Sequence, residues 1–371
     1  MPKSSEIKKR ITITDVAEAA GVTKSTVSLA LAGKGNFSPK TRSAIKRAAR
    51  RLNYEPNPHA QRLSVGHFDK TIALLAMALD LSVGTRKLQL MQSLLVAAGF
   101  EAPLYASGYG AHTTEHEKLA LIKSICRGRP RAIVFRVHKV PSAASPIFEA
   151  YQKEGGTVVC YDDPVDFAAD KVLFDREENT YQAAKHLLEL GHRDIALAAS
   201  TGPRGPRLNG FLRALAEFDV EPHDEWLLGK NIIDDAGFLS GIYEEGGARQ
   251  AMEFLKLRRR PTAICLLDDY TAVGFAAELE RSGLRVPEDV SVVGHDDLPI
   301  ARYGHLPLTT VTHPVEEIAH SVVDLLTSRL NGYDGPPREI VIRGKLVVRQ
   351  SAVPLGAASK EKVKTPALAG V

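Results

Sequence analysis

The chain reads as an α/β protein in two parts: an N-terminal three-helix helix-turn-helix module, and a two-lobed body built on two doubly wound parallel sheets. Three observations carry that reading. Charge divides along the chain: residues 1–66 hold 13 Lys+Arg against 4 Asp+Glu, a balance of +9, and the remainder holds 35 against 40. The formal net charge of +4 is thus the sum of a basic head and a mildly acidic body. Within the head, apolar and small residues recur at helical spacing on both sides of Gly21. Within the body, short β-branched or apolar runs alternate with helical stretches, the pattern of parallel strands joined by crossover helices.

Composition sets the outer bounds. At 371 residues, 44% hydrophobic and 25% charged, the chain has the make-up of a soluble globular protein of two or three domains. Its longest apolar run, residues 72–79, suits a buried strand and falls far short of the roughly 20 residues a membrane helix needs. The basic N-terminus leads into a mixed polar stretch with no apolar core, so a secretory signal is not expected and a cytoplasmic location is. Cys126, Cys160 and Cys265 lie far apart in apolar surroundings without metal-type spacing, and read as core thiols. No metal or cofactor is expected.

In the head, ITDVAEAAGVTKSTVSLAL places Val16, Ala17, Ala20, Val22, Val27 and Ala30 on the facing sides of two short helices, with Gly21 as the turn and Ala17 small enough for a close crossing. Thr23 is placed to cap the second helix, whose exposed N-terminal face would carry Lys24, Ser25 and Ser28 toward DNA. Ser38 and Pro39 have the N-cap and first-turn chemistry of a third helix running to about Leu52, with Ile45, Ala48 and Leu52 on its apolar stripe. Its other face, with Lys40, Arg42, Lys46, Arg47, Arg50 and Arg51, suits either phosphate contact or a plain solvated surface. In YEPNPHAQRLSVG, Pro58 predisposes Asn57 to cap a very short helix from His59 to Leu63, ended by Gly66. A helix so short is unstable alone and would form only when docked. It is either a hinge that folds on DNA, with Leu63 as an apolar wedge in a minor groove, or an ordinary interdomain linker.

From Ile11 to about Gly66 the sequence resembles the DNA-binding headpiece and hinge of the lactose-repressor (LacI/GalR) family. LELGHRDIALA, RLNGFLRAL and GLRVPEDVSVVGHDDLPIARYGHLPLTTVTHP resemble that family's effector domain in order and spacing, so the likeness spans about residues 11–354. It implies a headpiece over residues 1–57, a hinge and linker over 58–69, and an effector-binding and dimerisation domain of periplasmic-binding-protein type over 70–354. The chain would cross between the lobes three times. A tail over 355–371 lacks a leucine heptad and is expected to be disordered. The resemblance places Thr14, Lys24, Ser25, Thr26, Ser28, Leu29, Asn36, Arg42, Asn57, Ala60 and Leu63 at DNA. It also implies a homodimer, with higher assembly left open, on a pseudo-palindromic double-stranded operator.

In the body, strands are expected at residues 72–77, 132–135, 157–161, 194–198, 262–267 and 289–293. Helices are expected at 88–98, 115–125, 180–190, 207–217, 272–282 and 315–330. That is too many strands for one sheet; two sheets of about five fit, and ligands in such folds bind at the C-terminal strand ends. Asp268 and Asp269 follow one strand, and His295, Asp296 and Asp297 another. Carboxylates there can accept paired hydroxyls, and Arg207, opening a helix, offers a planar fork of donors. By resemblance Arg207 is the arginine of an R-x-x-G-[FY] motif, Asp296 the first acid of G-[FY]-D-D, and Asp268 stands where Asn is usual. Asp175, Arg136 and Tyr243 complete the expected effector contacts. Asp269 and Asp297 are expected only to cap helices, and His295 to replace a core aromatic.

Three departures from the family matter. Leu29 stands where an arginine usually reads guanine, so operator sequence does not transfer. ALDLSVGTRK lacks the N-P-[FY]-F pattern that forms one pocket wall. Arg136 and Arg176 occupy rim positions where Asn is usual, which would suit an anionic sugar, although pairing with neighbouring carboxylates is expected. The stretch NIIDDAGFLSGIYEEGGA is also longer than usual and makes Phe238, Ile242 and Tyr243 pocket candidates. No dinucleotide, P-loop or nucleophile-elbow motif is present, which argues against an enzyme. The expected function is a transcriptional regulator, by default a repressor, whose operator affinity a small ligand, a carbohydrate or its derivative, controls by favouring one lobe arrangement. The alternative is a sugar receptor of the periplasmic type with no DNA role.

Overall fold

Each N-terminal helix is fixed by the polar residue in front of it. In the computed structural model, which describes residues 12–31, 35–52, 54, 68–76, 83–106, 114–137, 140–198, 205–229 and 243–356, helix α1 (Ile13–Ala20) begins with Asp15 accepting the Thr12 amide N–H at 2.7 Å. Gly21 ends it at φ 65°, a left-handed conformation that glycine adopts without steric cost. Helix α2 (Lys24–Leu31) starts where Thr23 Oγ1 accepts from Thr26 N–H at 3.2 Å, and α3 (Pro39–Arg51) where Ser38 Oγ accepts from Thr41 N–H at 3.1 Å. The three helices close over Val16, Ala17, Val27, Ala30, Ile45, Ala48 and Ala49. The expected hinge residues Asn57, Ala60 and Leu63, the loop residues Phe238 and Ile242, and most of the tail lie outside the described residues.

The body is a separate unit of two lobes. Lobe 1 is a six-stranded sheet. Its strands are β1 (Phe68–Ala76), β2 (Leu104–Ala106), β3 (Pro130–Arg136), β4 (Thr157–Asp162), β5 (Asp170–Phe174) and, from near the chain's end, β11 (Glu339–Ile342), in the order β11-β5-β4-β3-β1-β2. Helices α4 (Val83–Ala97) and α12 (Val315–Leu330) cover one face; α5 (Glu115–Arg127) and α6 (Ser145–Lys153) cover the other. Along β3, Ala132 and Val134 enter the first core while Ile133 and Phe135 enter the second. Burial on both faces explains why the strand reads as an unbroken apolar run.

Lobe 2 repeats the plan. Strands β6 (Ile195–Ala198), β7 (Leu227–Leu228), β8 (Ala263–Cys265), β9 (Ser291–Asp296), β10 (Thr309–Thr312) and β12 (Leu346–Val347) lie in the order β12-β10-β9-β8-β6-β7. Only β12 is antiparallel among its described pairings. Helices α7 (Arg176–Glu189) and α8 (Pro206–Glu217) pack on one side, and α9 (Glu244–Lys256) and α10 (Asp269–Arg281) on the other. A five-residue helix α11 (Pro299–Tyr303) follows β9. The chain crosses between lobes three times, at Asp175, at His313–Pro314 and at Arg343–Lys345. No described helix is long and apolar enough to cross a membrane.

Several sequence expectations are corrected. Each sheet has six strands, not about five, because six further strands of two to five residues carry too little apolar sequence to stand out. Helix α4 begins at Val83, so half of the presumed loop ALDLSVGTRK is helical and carries Lys87 inward. Helices α6 and α9 were not among the expected helices; the SP and GG pairs near their starts obscure the helical pattern. Cys160 and Cys265 are buried, whereas Cys126 is only partly so.

Gly210 sets the position of α8. A Cβ there would run into the Glu177 carbonyl oxygen at the start of α7, so a side chain would force the helices apart. Arg207 lies one turn earlier on the same helix, which ties the placement of its guanidinium to this crossing. Gly210→Ala is expected to lower unfolding free energy by about 1–3 kcal/mol despite the better helix propensity of alanine. Urea denaturation that shows no loss would contradict the close crossing.

Candidate functional site

The described residues expected at DNA are spread over the three N-terminal helices, with Lys24, Ser25, Thr26, Ser28 and Leu29 on α2, Thr14 on α1, Arg42 on α3 and Asn36 just before it. On α2, Lys24 and Ser25 are exposed, Thr26 and Ser28 half-buried, and Leu29 is 44% exposed, an apolar side chain on a face that Val27 and Ala30 leave free. Thr14 is half-buried and Asn36 exposed. Arg42 donates to the Gly35 carbonyl at 3.1 Å and so braces the segment before α3, while Lys40, Lys46, Arg47, Arg50 and Arg51 face solvent. A leucine cannot donate to guanine O6 or N7, but it can pack on a thymine methyl.

In the body, acids end equivalent strands. Asp162 closes β4 and Asp296 closes β9, each the third strand of its sheet, and they have φ 77° and φ 98°. Positive φ in a residue other than glycine stores on the order of 1–3 kcal/mol of strain. Such conformations concentrate where side-chain direction serves function. Asp162 is buried between cations: Lys87 Nζ donates to Oδ1 in a short contact, and Arg136 Nε donates to Oδ2 at 2.9 Å. Burial alone would raise this carboxyl, but Lys87, Arg136 and Arg176 together hold it far below the usual carboxylate range. Arg176 Nη1 donates to Asp163 Oδ1 at 2.5 Å and to the Asp162 carbonyl at 3.1 Å. Both rim arginines are therefore engaged by neighbouring carboxylates.

Arg207 differs. Its guanidinium is partly buried, and among the described residues it makes no hydrogen bond or ion pair. Desolvation and the neighbouring Arg176 pull it down to about 10, against the attraction of Asp296, Asp268 and Asp163. It therefore stays charged at neutral pH, a fork of donors facing acids of both lobes. Asp268 is the N-cap of α10 and accepts from Thr271 N–H at 2.9 Å and Thr271 Oγ1 at 3.0 Å. Burial, with the charge of Asp296, pushes it up to about 6.

Other expected residues have other work. Asp175 caps α7, accepting from Glu178 N–H at 3.0 Å, and pairs with Arg343 at 3.0 Å. Tyr243, at φ 89° before α9, stands edge-on to Tyr270 at 5.6 Å, two residues from Asp268. The capping expectation for Asp269 and Asp297 is corrected. Asp268 is the cap; Asp269 is fully buried, accepting from Leu298 N–H at 2.7 Å and Thr310 Oγ1 at 2.6 Å. Asp297 pairs with Arg349 at 2.5 Å and Arg302 at 3.1 Å and caps nothing. His295 is a core residue whose Nδ1 bonds the Leu266 carbonyl at 2.7 Å. Three residues escaped the sequence reading: Asp162, Lys87 and His313. Asp162 directly follows an expected strand and was findable by that rule. A lysine on an amphipathic helix reads as solvent-facing, and nothing local marks Lys87 as buried.

The raised Asp268 has a thermodynamic consequence. Its folded value of about 6 lies above the ordinary 3.8, so the folded state binds the proton more tightly than the unfolded chain. The group costs stability at neutral pH, and the cost recedes as pH falls from about 6 toward 4. Asparagine retains the capping acceptor without the charge. Asp268→Asn is expected to stabilise the protein at pH 7.5 by on the order of 1–3 kcal/mol, with a smaller gain at pH 5. Urea unfolding at both pH values that shows an equal gain, or a loss at pH 7.5, would contradict this.

Comparison with known proteins agrees with this geometry. The family described as bacterial regulatory proteins, lacI family, matches residues 12–57, and the periplasmic binding protein-like domain matches residues 184–352. The chain is 30% identical over 346 residues to an HTH-type transcriptional repressor PurR of Erwinia tasmaniensis, covering 92% of this chain and 96% of that protein. A solved transcriptional regulator CelR–cellobiose complex aligns at 26% identity with a TM-score of 0.64, over 92% of this chain and 100% of that one. The lac repressor bound to ONPG in its repressed state aligns at 25% identity with a TM-score of 0.67, over 92% of this chain and 100% of that one. With its helix-turn-helix, its two doubly wound lobes and these relatives, the chain belongs to the lacI family of DNA-binding transcriptional regulators.

Proposed function

We propose that the protein is a transcriptional repressor that binds a pseudo-palindromic operator as a homodimer and changes its DNA affinity when a neutral carbohydrate or carbohydrate derivative enters the crevice between its lobes. The observation that carries this reading is Arg207: a charged fork facing Asp268 and Asp296, with no protein acceptor among the described residues, in a chain whose other unit is a capped helix-turn-helix. Paired ligand hydroxyls satisfy such a fork and donate to the two carboxylates in return. Arg136 and Arg176 already hold Asp162 and Asp163, which favours a neutral polyol over a sugar acid. The CelR structure contains cellobiose and the lac repressor structure ONPG, in keeping with this ligand class.

On this reading residues 1–57 read DNA, 58–69 form the hinge with Asn57, Ala60 and Leu63 at or near the minor groove, and 70–354 sense ligand and dimerise. Thr14, Lys24, Ser25, Thr26, Ser28, Leu29, Asn36 and Arg42 make the headpiece contacts, with Leu29 reading a methyl group. Asp175 and Tyr243 frame the crevice around Arg207, Asp268 and Asp296. The ligand acts only through its difference in affinity for two lobe arrangements.

Mobility shift of the full chain against fragments of its source genome tests the proposal. A subset of fragments is expected to be retained, with affinity falling on the order of 10³-fold between 50 and 200 mM salt, as about six phosphate contacts would require. Absence of salt-sensitive retention on any fragment would overturn the DNA-binding reading. Retention that no sugar from a thermal-shift screen alters would overturn the ligand reading.

A further inference from the structure

The two strand-end acids are joined through the middle chain crossing. His313 follows β10 of lobe 2 and precedes α12, which packs on lobe 1. Its Nε2 lies 3.1 Å from Lys87 Nζ, and its Nδ1 lies 3.1 Å from Asp296 Oδ1. The ring rests on Phe174, the last residue of β5, with centroids 3.9 Å apart. Lys87 is fully buried and held by Asp162.

Hydrogen-bond roles follow from chemistry. An ammonium can only donate, so Nε2 accepts; Nδ1 then carries the proton and donates to the Asp296 carboxylate. Burial pulls His313 down to about 4 and Lys87 to about 8, so at neutral pH the imidazole is uncharged and the ammonium charged, as these roles require. Burial, the largest single influence, would raise Asp296, yet the His313 hydrogen bond together with the charges of its neighbours, Arg207 among them, keeps the carboxyl below its ordinary value.

We propose that Lys87 and His313 are positioning residues that tether the lobe 2 acid Asp296 to the lobe 1 ion cluster, and so hold one lobe arrangement when no molecule occupies the crevice. This rests on the reading that a ligand acts by changing lobe arrangement. The two ring nitrogens lie in one rigid plane, so a shift of about 1 Å between Lys87 and Asp296 takes one bond beyond hydrogen-bond reach. The other crossings are tied differently. Gly344 N–H donates to Asn179 Oδ1 at 2.8 Å and Lys345 N–H to Thr312 Oγ1 at 2.9 Å, which fasten the last crossing to α7 and β10 of lobe 2 and do not involve the strand-end acids. A ligand that draws Asp296 toward itself loosens the tether, and a ligand bound with the tether intact reinforces it.

Pulsed electron–electron distance measurement tests the tether in the ligand-free full chain. Nitroxides at Glu149→Cys in lobe 1 and Glu280→Cys in lobe 2, both exposed positions, are placed in a Cys126→Ser background and diluted with unlabelled chain. A single narrow distance distribution is expected for the otherwise unchanged protein. His313→Phe keeps a ring against Phe174 but loses both hydrogen bonds, and Lys87→Met removes the donor. Each should at least double the width of the distribution. His313→Gln can accept from Lys87 and donate to Asp296, and should restore the narrow distribution, which a role in packing alone would not predict. If Lys87→Met fails to fold, His313→Phe decides, because it leaves the Lys87–Asp162 pair in place. Unchanged width in His313→Phe, or a broad distribution in the unsubstituted protein, overturns the tether. Salt-sensitive DNA retention, measured separately, decides the regulator reading independently of that result.

Discussion

The body of this protein depends on how it accommodates two carboxylates at equivalent strand ends, one buried and one largely so. Asp162 and Asp296 each occupy a positive-φ position at a strand end, and neither can ionise there without close partners. Asp162 takes Lys87 and Arg136, while Asp296 takes His313 and the field of Arg207. Once those partners are committed, much else follows. Lys87 must be buried, so α4 must begin early enough to turn it inward. His313 must be neutral with its proton on Nδ1. Arg207 remains as the cation with no protein acceptor among the described residues.

Charge within the crevice is therefore closely balanced before any ligand arrives. Lys87, Arg136, Arg176 and Arg207 face Asp162, Asp163, Asp268 and Asp296, and Asp268 is the acid whose ionisation is most easily reversed. Such a nearly balanced site, with Arg207 still lacking a protein acceptor among the described residues, favours an uncharged ligand able to accept from Arg207 and to donate to Asp268 and Asp296. The basic head has no such balance. Its exposed Lys40, Lys46, Arg47, Arg50 and Arg51 have no carboxylate partners on α3 and are available to phosphates.

The fold was legible where one local rule decided the outcome. Thr23, Ser38 and Pro39 announce their helices, and unbroken apolar runs announce β1, β3 and β4. Short strands such as β7 and β12 were not legible, because two residues carry no periodicity. The candidate site was legible only in part. Arg207, Asp268 and Asp296 follow from the rule that ligands sit beyond the carboxyl ends of strands. Arg136 was found by the same rule and its pairing with a neighbouring carboxylate was expected; only the identity of that partner, Asp162, depends on the fold. Lys87 and His313 were invisible because their roles come from elements about 75 and 226 residues apart in sequence that meet only in the folded lobes. Asp269 shows the opposite error: an acid at a helix start invites a capping assignment, yet its neighbour Asp268 is the cap and Asp269 anchors Leu298 and Thr310.

On the proposed function, one molecule couples two binding events. Coupling is reciprocal: a ligand that changes operator affinity by some factor must have its own affinity changed by the operator by the same factor. Titration calorimetry of a screened sugar into the full chain, with and without a saturating retained DNA fragment, measures that factor directly. Dissociation constants that differ at least fivefold are expected, a coupling of about 1 kcal/mol or more. Equal constants in the two titrations would contradict it.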